Sequence, residues 1–210
     1  MKRFYLTLAF AAAPLLISAP ASAAHDDEVT FNLTPNPKFL NCVRGAEPGD
    51  PKATVTVVRG KLNDTLILRL SNFKPNLAFD LFTVQRSSLR SDGAPDINFK
   101  NFGMAWYQSD VQANQGGGGE VSIRTILLDQ IFGFDPDVAL APTNTFHVGF
   151  WFNNPQDAAA CGFDVTKPTP FNGEHKAGPL AMISVPNPTS GLGPLCTDPN
   201  FSTVPTSCNP

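Results

Sequence analysis

Prolines and glycines interrupt this chain too often for long helices to form. Twenty Pro and 16 Gly are spread along 210 residues, and the short runs between them are filled with Phe, Val, Thr and Leu. Proline removes a backbone donor and clashes with the preceding helical turn, and glycine weakens helix and strand interiors alike, so both act as punctuation. Sustained 3.6-residue periodicity is missing, while several runs alternate with a period of two. A βαβ arrangement would need intervening helices on the order of ten residues or more, and none is legible. The pattern predicts an all-β protein, an antiparallel β-sandwich (Ig-like or jelly-roll-like) of about seven or eight strands.

The runs can be placed in order. Val29 to Leu33 reads as an edge strand. Thr54 to Arg59 and Thr65 to Leu70, separated by turn chemistry at Gly60 to Asp64, make the clearest hairpin, with Leu66, Leu68 and Leu70 on one face. Ala78 to Gln85 follows the break at Pro75 and Asn76. Met104 to Val111 and Glu120 to Leu127 flank Gln115 to Gly119, a glycine run that reads as a flexible hairpin tip. It is no phosphate loop, because no helix with a Lys-Ser/Thr pair follows. Asp129 to Phe134 and Gln156 to Ala160 suggest single helical turns. Phe146 to Phe152 is the most strongly patterned strand, with Phe146, Val148, Phe150 and Phe152 on one face and His147, Gly149 and Trp151 on the other. Leu180 to Val185 is a last strand before a Pro/Asn/Ser/Thr-rich tail over 186–210.

The N-terminus points to export. Lys2 and Arg3 precede an apolar stretch from Phe4 to Ile17, and Ala21-Ser22-Ala23 has the small-x-small form of a signal-peptidase site. Residues 1–23 are therefore read as a signal peptide, 24–185 as the β-sandwich domain and 186–210 as a disulfide-closed tail. No later stretch approaches the roughly 20 apolar residues of a membrane helix, so no membrane insertion is expected after cleavage. Loss of Lys2 and Arg3 would take the formal charge from −3 to −5. A mildly acidic surface without a Lys/Arg cluster repels phosphate backbones, which argues against nucleic-acid partners.

Four cysteines remain, Cys42, Cys161, Cys196 and Cys208. An even count in an exported chain reads as two disulfides, and no pair has the spacing of a zinc knuckle or thioredoxin-type site. Of the three connectivities, Cys196–Cys208 with Cys42–Cys161 is favoured. The first would order a tail that has no other visible anchor. The second would remove ~3–5 kcal/mol of loop-closure entropy from the unfolded chain.

The stretches Asp64 to Leu70, Phe79 to Phe82, Ala105 to Asp110, Phe146 to Asn153 and Phe171 to His175 carry a resemblance. Together they resemble a group of exported bacterial proteins with no assigned function, over roughly residues 54–184. The resemblance implies secretion and an all-β domain. It brings no activity and no functional residues, and the tail beyond Pro186 lies outside it.

Candidate sites come from the residues alone. On the strand at 146–152, Gly149 between His147 and Trp151 would leave a shallow depression in which an aromatic ring could stack on a sugar. The ordinary alternative is a Trp that caps the core and a His bonded to a neighbouring carbonyl. Glu174 and His175 join His147 only if their turn folds back onto that strand. A copper site would use His25 as the mature N-terminus with His147 or His175, as in lytic polysaccharide monooxygenases, because imidazole suits Cu(II). Cleavage after Ala23 and the Asp26-Asp27-Glu28 continuation both count against it. Asp92-Gly93 and Asp135-Pro136-Asp137 lack the alternating ligands of a calcium loop. No Gly-x-Ser-x-Gly elbow is present, and a glycosidase would need Asp80, Asp110 and Glu120 to converge.

The resulting expectation is a secreted or periplasmic, non-enzymatic binding or structural module without a cofactor, its ligand a glycan or a protein. Ligand-binding candidates are His147, Trp151, Glu174 and His175, and the alternative is a copper-dependent oxidative enzyme built on His25.

Overall fold

Strand β1 (Glu28–Pro35) belongs to two halves of one sheet. Its residues 28–33 pair antiparallel with β2 (Lys52–Val58), and Thr34 and Pro35 pair antiparallel with β10 (Leu180–Ile183). A computed structural model describes residues 27–129, 132–135, 140–144, 146–169 and 176–209. The expected signal peptide and His25, Glu174 and His175 lie outside these residues.

The remaining members of the main sheet are β3 (Asp64–Ser71), β4 (Ala78–Val84), β5 (Ala105–Gln112), β6 (Gly119–Thr125) and β9 (His147–Phe152). Its eight antiparallel strands run in the order β5-β4-β9-β10-β1-β2-β3-β6. Two short ribbons are additional, β7 (Phe132–Asp135) with β8 (Leu140–Asn144), and β11 (Pro199–Asn200) with β12 (Ser207–Cys208). The protein is thus all-β and antiparallel, as the punctuated sequence requires. The eight-stranded sheet folds over on itself, because inward side chains from β2 and β3 and from β4 and β9 share one core cluster. Its two ends, β5 and β6, approach each other with no ladder between them.

Alternation explains the inner faces. Val55 pairs with Leu68 and Val57 with Leu66 across the β2–β3 hairpin, and all four are buried, while Thr54, Thr56, Ile67 and Arg69 form the outer face. Phe79, Leu81, Val148, Phe150 and Phe152 meet them from the other half. Their rings interlock at centroid distances of 4.8 Å for Phe79–Phe150 and 5.5 Å for Phe79–Phe152. Aromatic pairs in this range add to simple area burial. β9 is buried on both faces, and its outward side chains face a second cluster of Val84, Leu89, Trp151, Ala177, Leu180 and Ile183. The long β4–β5 connection, residues 85–104, roofs that cluster with Leu89 and Phe102.

Both favoured disulfides are present. Cys42–Cys161 joins α1 (Leu40–Val43) to a 3₁₀ turn at Pro155–Cys161, and Cys196–Cys208 closes the tail. Two disulfides point to an oxidising compartment. Among the described residues no helix is long and apolar enough to cross a membrane.

Four local expectations are corrected. Val29 to Leu33 is an interior strand, because the end of β1 recruits β10 on the side away from β2. Residues expected as a helical turn after Asp129 instead enter a strand at Phe132, and Asp129 itself adopts a left-handed φ of 61°. The glycine run does not close a hairpin, since β5 and β6 are the two ends of the sheet order. Nor is it free. The Asn114 side chain accepts from the N–H groups of Gly116 and Gly118, and the N–H of Phe73 donates to the Gly117 carbonyl at 3.0 Å. Gly117 sits at φ 74°, where a Cβ would lie 2.3 Å from the Phe73 carbonyl oxygen, so only glycine fits. Finally, the tail is held by more than its disulfide: Leu195 is fully buried in the main core and its N–H donates to the Phe146 carbonyl.

Candidate functional site

The site begins at the first residue of β9. His147 faces outward, opposite Val84 of β4, and is only 3% exposed. Its Nδ1 lies 3.1 Å from the Ser184 carbonyl and 3.0 Å from the Ser184 hydroxyl. A carbonyl can only accept, so Nδ1 carries the proton and Nε2 keeps a lone pair. Ser184 is held in turn, its N–H donating to the Val148 carbonyl and its hydroxyl accepting from the Val148 N–H. Burial drives the imidazole pKa down to about 4, with the Ser184 backbone contact opposing the shift. The ring is therefore neutral at physiological pH.

Above His147 lies a cleft of about 680 Å³, walled by the 85–101 connection on one side and the 186–191 segment on the other. Its lining mixes polar and apolar groups, with Arg86, Arg90, Asn98, Phe99 and Lys100 around the imidazole floor. The loop that carries them is built from its own hydrogen bonds. Arg90 N–H donates to the Ala94 carbonyl, Asp96 N–H to the Ser88 carbonyl, and Phe99 N–H to the Asp96 carbonyl. Asp92 accepts from the Ala94 N–H at 3.0 Å and Asp96 from the Asn98 N–H at 2.9 Å, the Asx-turn chemistry that Asp favours in loops. The Ala94 N–H, aided by the Arg90 guanidinium, holds the Asp92 carboxyl below the usual carboxylate range. Buried Leu89 pins the loop to the second core.

Trp151, the sequence candidate for sugar stacking, is 5% exposed. Its ring meets Phe82 at 5.5 Å and Phe102 at 5.1 Å, both edge to face. No open ring face is left for a sugar, and the residue caps the second core. The aromatic contact continues outward, from Phe102 to Phe99 at 4.7 Å, and Phe99 does line the cleft. Sequence reading put the exposed aromatic on the strand because β-strand alternation is legible. A loop that covers the strand has no such period.

Asp80 and Asp110 stand directly opposite each other on β4 and β5, but Asp80 accepts from Asn153 Nδ2 at 2.9 Å and Asp110 from the Tyr107 hydroxyl at 2.9 Å. Glu120 does not join them; on β6 it pairs with Arg69 at 2.8 Å. Asp129, Cys196 and Cys208 cluster closely, yet both sulfurs are committed to a disulfide and are not thiolate ligands. Of the acids weighed for calcium, Asp135 ends β7 and Asp137 lies outside the described residues. The Asp92 carboxylate is occupied by Arg90 and Ala94.

Compared with protein-family models, with curated proteins and with solved structures, the chain shows no significant match. The cleft over His147 therefore carries the functional reading by its own geometry.

Proposed function

We propose that the protein is an exported binding module that holds a polar ligand in the cleft over His147. The observation that carries this reading is the preformed concavity itself: a self-bonded loop holds Arg86, Asn98, Phe99 and Lys100 around a neutral imidazole. Preorganised loops bind without the entropy of ordering themselves, and concave polar sites with one aromatic wall suit saccharides. Export is supported by the leader-like N-terminus and by two disulfides, which persist in oxidising compartments. Secretion or periplasmic residence is the localisation these two features support, in line with the resemblance to exported bacterial proteins.

The test has two parts. Expression with the native leader, followed by intact-mass analysis, should give a chain starting at Ala24, metal-free and four hydrogens short of the reduced mass. A chain starting at His25 with copper bound would instead support the oxidative-enzyme alternative. Glycan-array screening of that material should then give a ligand whose binding disappears in Asn98→Trp. Asn98 is exposed and lines the cleft, so the indole fills the space without disturbing the core. Binding that survives Asn98→Trp would place the ligand elsewhere, and no binding to any glycan or protein probe would leave a structural envelope protein.

A further inference from the structure

The charges around the cleft say more about the ligand than its shape does. The whole chain carries a formal charge of −3, yet three cations, Arg86, Arg90 and Lys100, line this one cleft against a single carboxylate, Asp96. The nearby acids are hydrogen-bonded within the loop, which orders them without removing their charge, so Asp96 offsets one of the three cations. Asp96 accepts the Asn98 N–H, and Asp92 accepts the Ala94 N–H while gripping Arg90 through two contacts of 2.7 and 3.3 Å. That grip fixes Arg90 at the rim and neutralises much of its charge. Arg86 is oriented differently: its Nη1 donates to the Asn101 side-chain oxygen at 2.6 Å, a neutral partner that steers the guanidinium, and it has no ion-pair partner among the described residues. Lys100 has no ion-pair partner among the described residues.

His147 adds a condition. With Nδ1 turned to Ser184 and the ring kept neutral by burial, the floor offers no charge of either sign. Discrimination by charge therefore rests on the rim. An oriented guanidinium matches a planar carboxylate through two parallel N–H donors, while an ammonium contributes a point charge. Asn98 and Ser87 can serve hydroxyl groups, and Phe99 offers a ring for the apolar face of a sugar.

We infer that the cleft takes a carboxylate-bearing saccharide, a uronate oligomer, with Arg86 and Lys100 holding the carboxylate and Phe99 supporting the sugar ring. The inference rests on the binding reading above and deepens it. Nucleic acids offer anions too, but a cleft with three cations, one of them paired to Asp92, against the Asp96 carboxylate lacks the extended positive track that a phosphate backbone needs.

The experiment is calorimetric titration of the full mature protein with uronate trisaccharides (galacturonate, glucuronate and mannuronate series), each beside its methyl ester. The ester keeps the sugar and removes the charge. One acid should bind, its ester should bind roughly tenfold or more weakly, and Arg86→Gln should impose a similar loss on the acid alone. Lys100→Gln should act in the same direction. Raising ionic strength from about 0.05 to 0.5 M should weaken the acid and leave the ester unchanged. Thermal melts of both variants check folding; neither side chain belongs to the buried core, so melting temperatures should match the parent. Equal affinity for acid and ester, or indifference to both substitutions, overturns the anionic ligand and leaves a cleft for neutral sugars. If no acid binds but a neutral glycan does so in an Asn98→Trp-sensitive way, the result is the same. If nothing binds the cleft, the binding reading falls with it.

Discussion

The carboxylate of Asp129 accepts the backbone N–H of Thr197 at 2.6 Å, which fastens the C-terminal tail to the body of the protein. The same carboxylate takes the Thr197 hydroxyl at 2.9 Å and Arg59 Nη2 at 2.7 Å, and Arg59 also reaches the Thr197 hydroxyl at 2.9 Å. Asp129 is 2% exposed while Arg59 is partly open. A buried carboxylate is tolerated when it is paired and its lone pairs are filled, and the Thr197 N–H, the Thr197 hydroxyl and Arg59 all contribute to that here.

Asp129→Asn tests the clamp with little disturbance of shape. Asn tolerates the left-handed backbone that Asp129 adopts at φ 61°, so the change keeps the shape while removing the charge and turning one of the two acceptor oxygens into a donor that faces Thr197 or Arg59. The expected loss is about 1–3 kcal/mol, the range for a hydrogen bond to a charged group. Limited proteolysis with mass analysis should show new cleavage after residue 196 in the variant. A tail as protected as in the parent would mean that its disulfide and the buried, hydrogen-bonded Leu195 hold it without the Asp129 charge.

The two disulfides should differ in weight. Cys42–Cys161 closes a loop with a sequence separation of 119, and Cys196–Cys208 one of 12. In the chain-entropy account their removal costs about 5 and about 3 kcal/mol respectively. Urea denaturation of the Cys42→Ala/Cys161→Ala and Cys196→Ala/Cys208→Ala double variants would rank them. The reverse order would show that native packing around the tail outweighs loop closure.

Much of the architecture was legible because alternation with a period of two survives in single sequences. Leu66, Leu68 and Leu70 lie on the buried face of β3 as their spacing predicts, and His147, Gly149 and Trp151 do oppose Val148, Phe150 and Phe152. Which residues are buried on the outer face was not legible, because the cover comes from residues 85–104, whose turns follow no period. Arg86, Phe99 and Lys100 carry no sequence signal for that reason: nothing local marks a loop as folding back over a strand. The Asp92, Asp96 and Asn101 side-chain turns were the available signal. Strand order was likewise invisible, since β1 joins the two halves through pairings at long sequence separation, Thr34 with Ile183 and Phe31 with Val55.

Trp151 sits where a large ring completes the second core between Phe82, Phe102 and Leu180. Trp151→Ala should therefore destabilise the protein by about 3–5 kcal/mol, the usual result of truncating a buried aromatic residue. Equilibrium urea unfolding measures this directly. A loss below about 1 kcal/mol, the scale of a surface substitution, would contradict the core role and reopen the ring to ligands.

His147 makes stability depend on pH with a definite sign. Above about pH 6.5 the imidazole is neutral in folded and unfolded chains alike, so it favours neither. As pH falls from 6.5 toward 4 the unfolded chain takes up a proton that the folded chain refuses, because burial holds the folded pKa near 4. Stability present above the unfolded pKa is lost through that window, by about 3 kcal/mol in all, and the loss levels off once both forms are protonated. Carboxylates titrate over part of the same range, so the informative quantity is the difference between the parent and His147→Gln. Urea midpoints measured every half unit from about pH 3.5 to 8 should show the parent losing stability relative to the variant as pH falls, by about 3 kcal/mol whatever offset the substitution introduces at neutral pH. Parallel curves would mean that the imidazole is protonated in the folded cleft. It would then supply a positive floor beneath Arg86 and Lys100, and anionic ligands would bind more tightly in acid than at neutral pH.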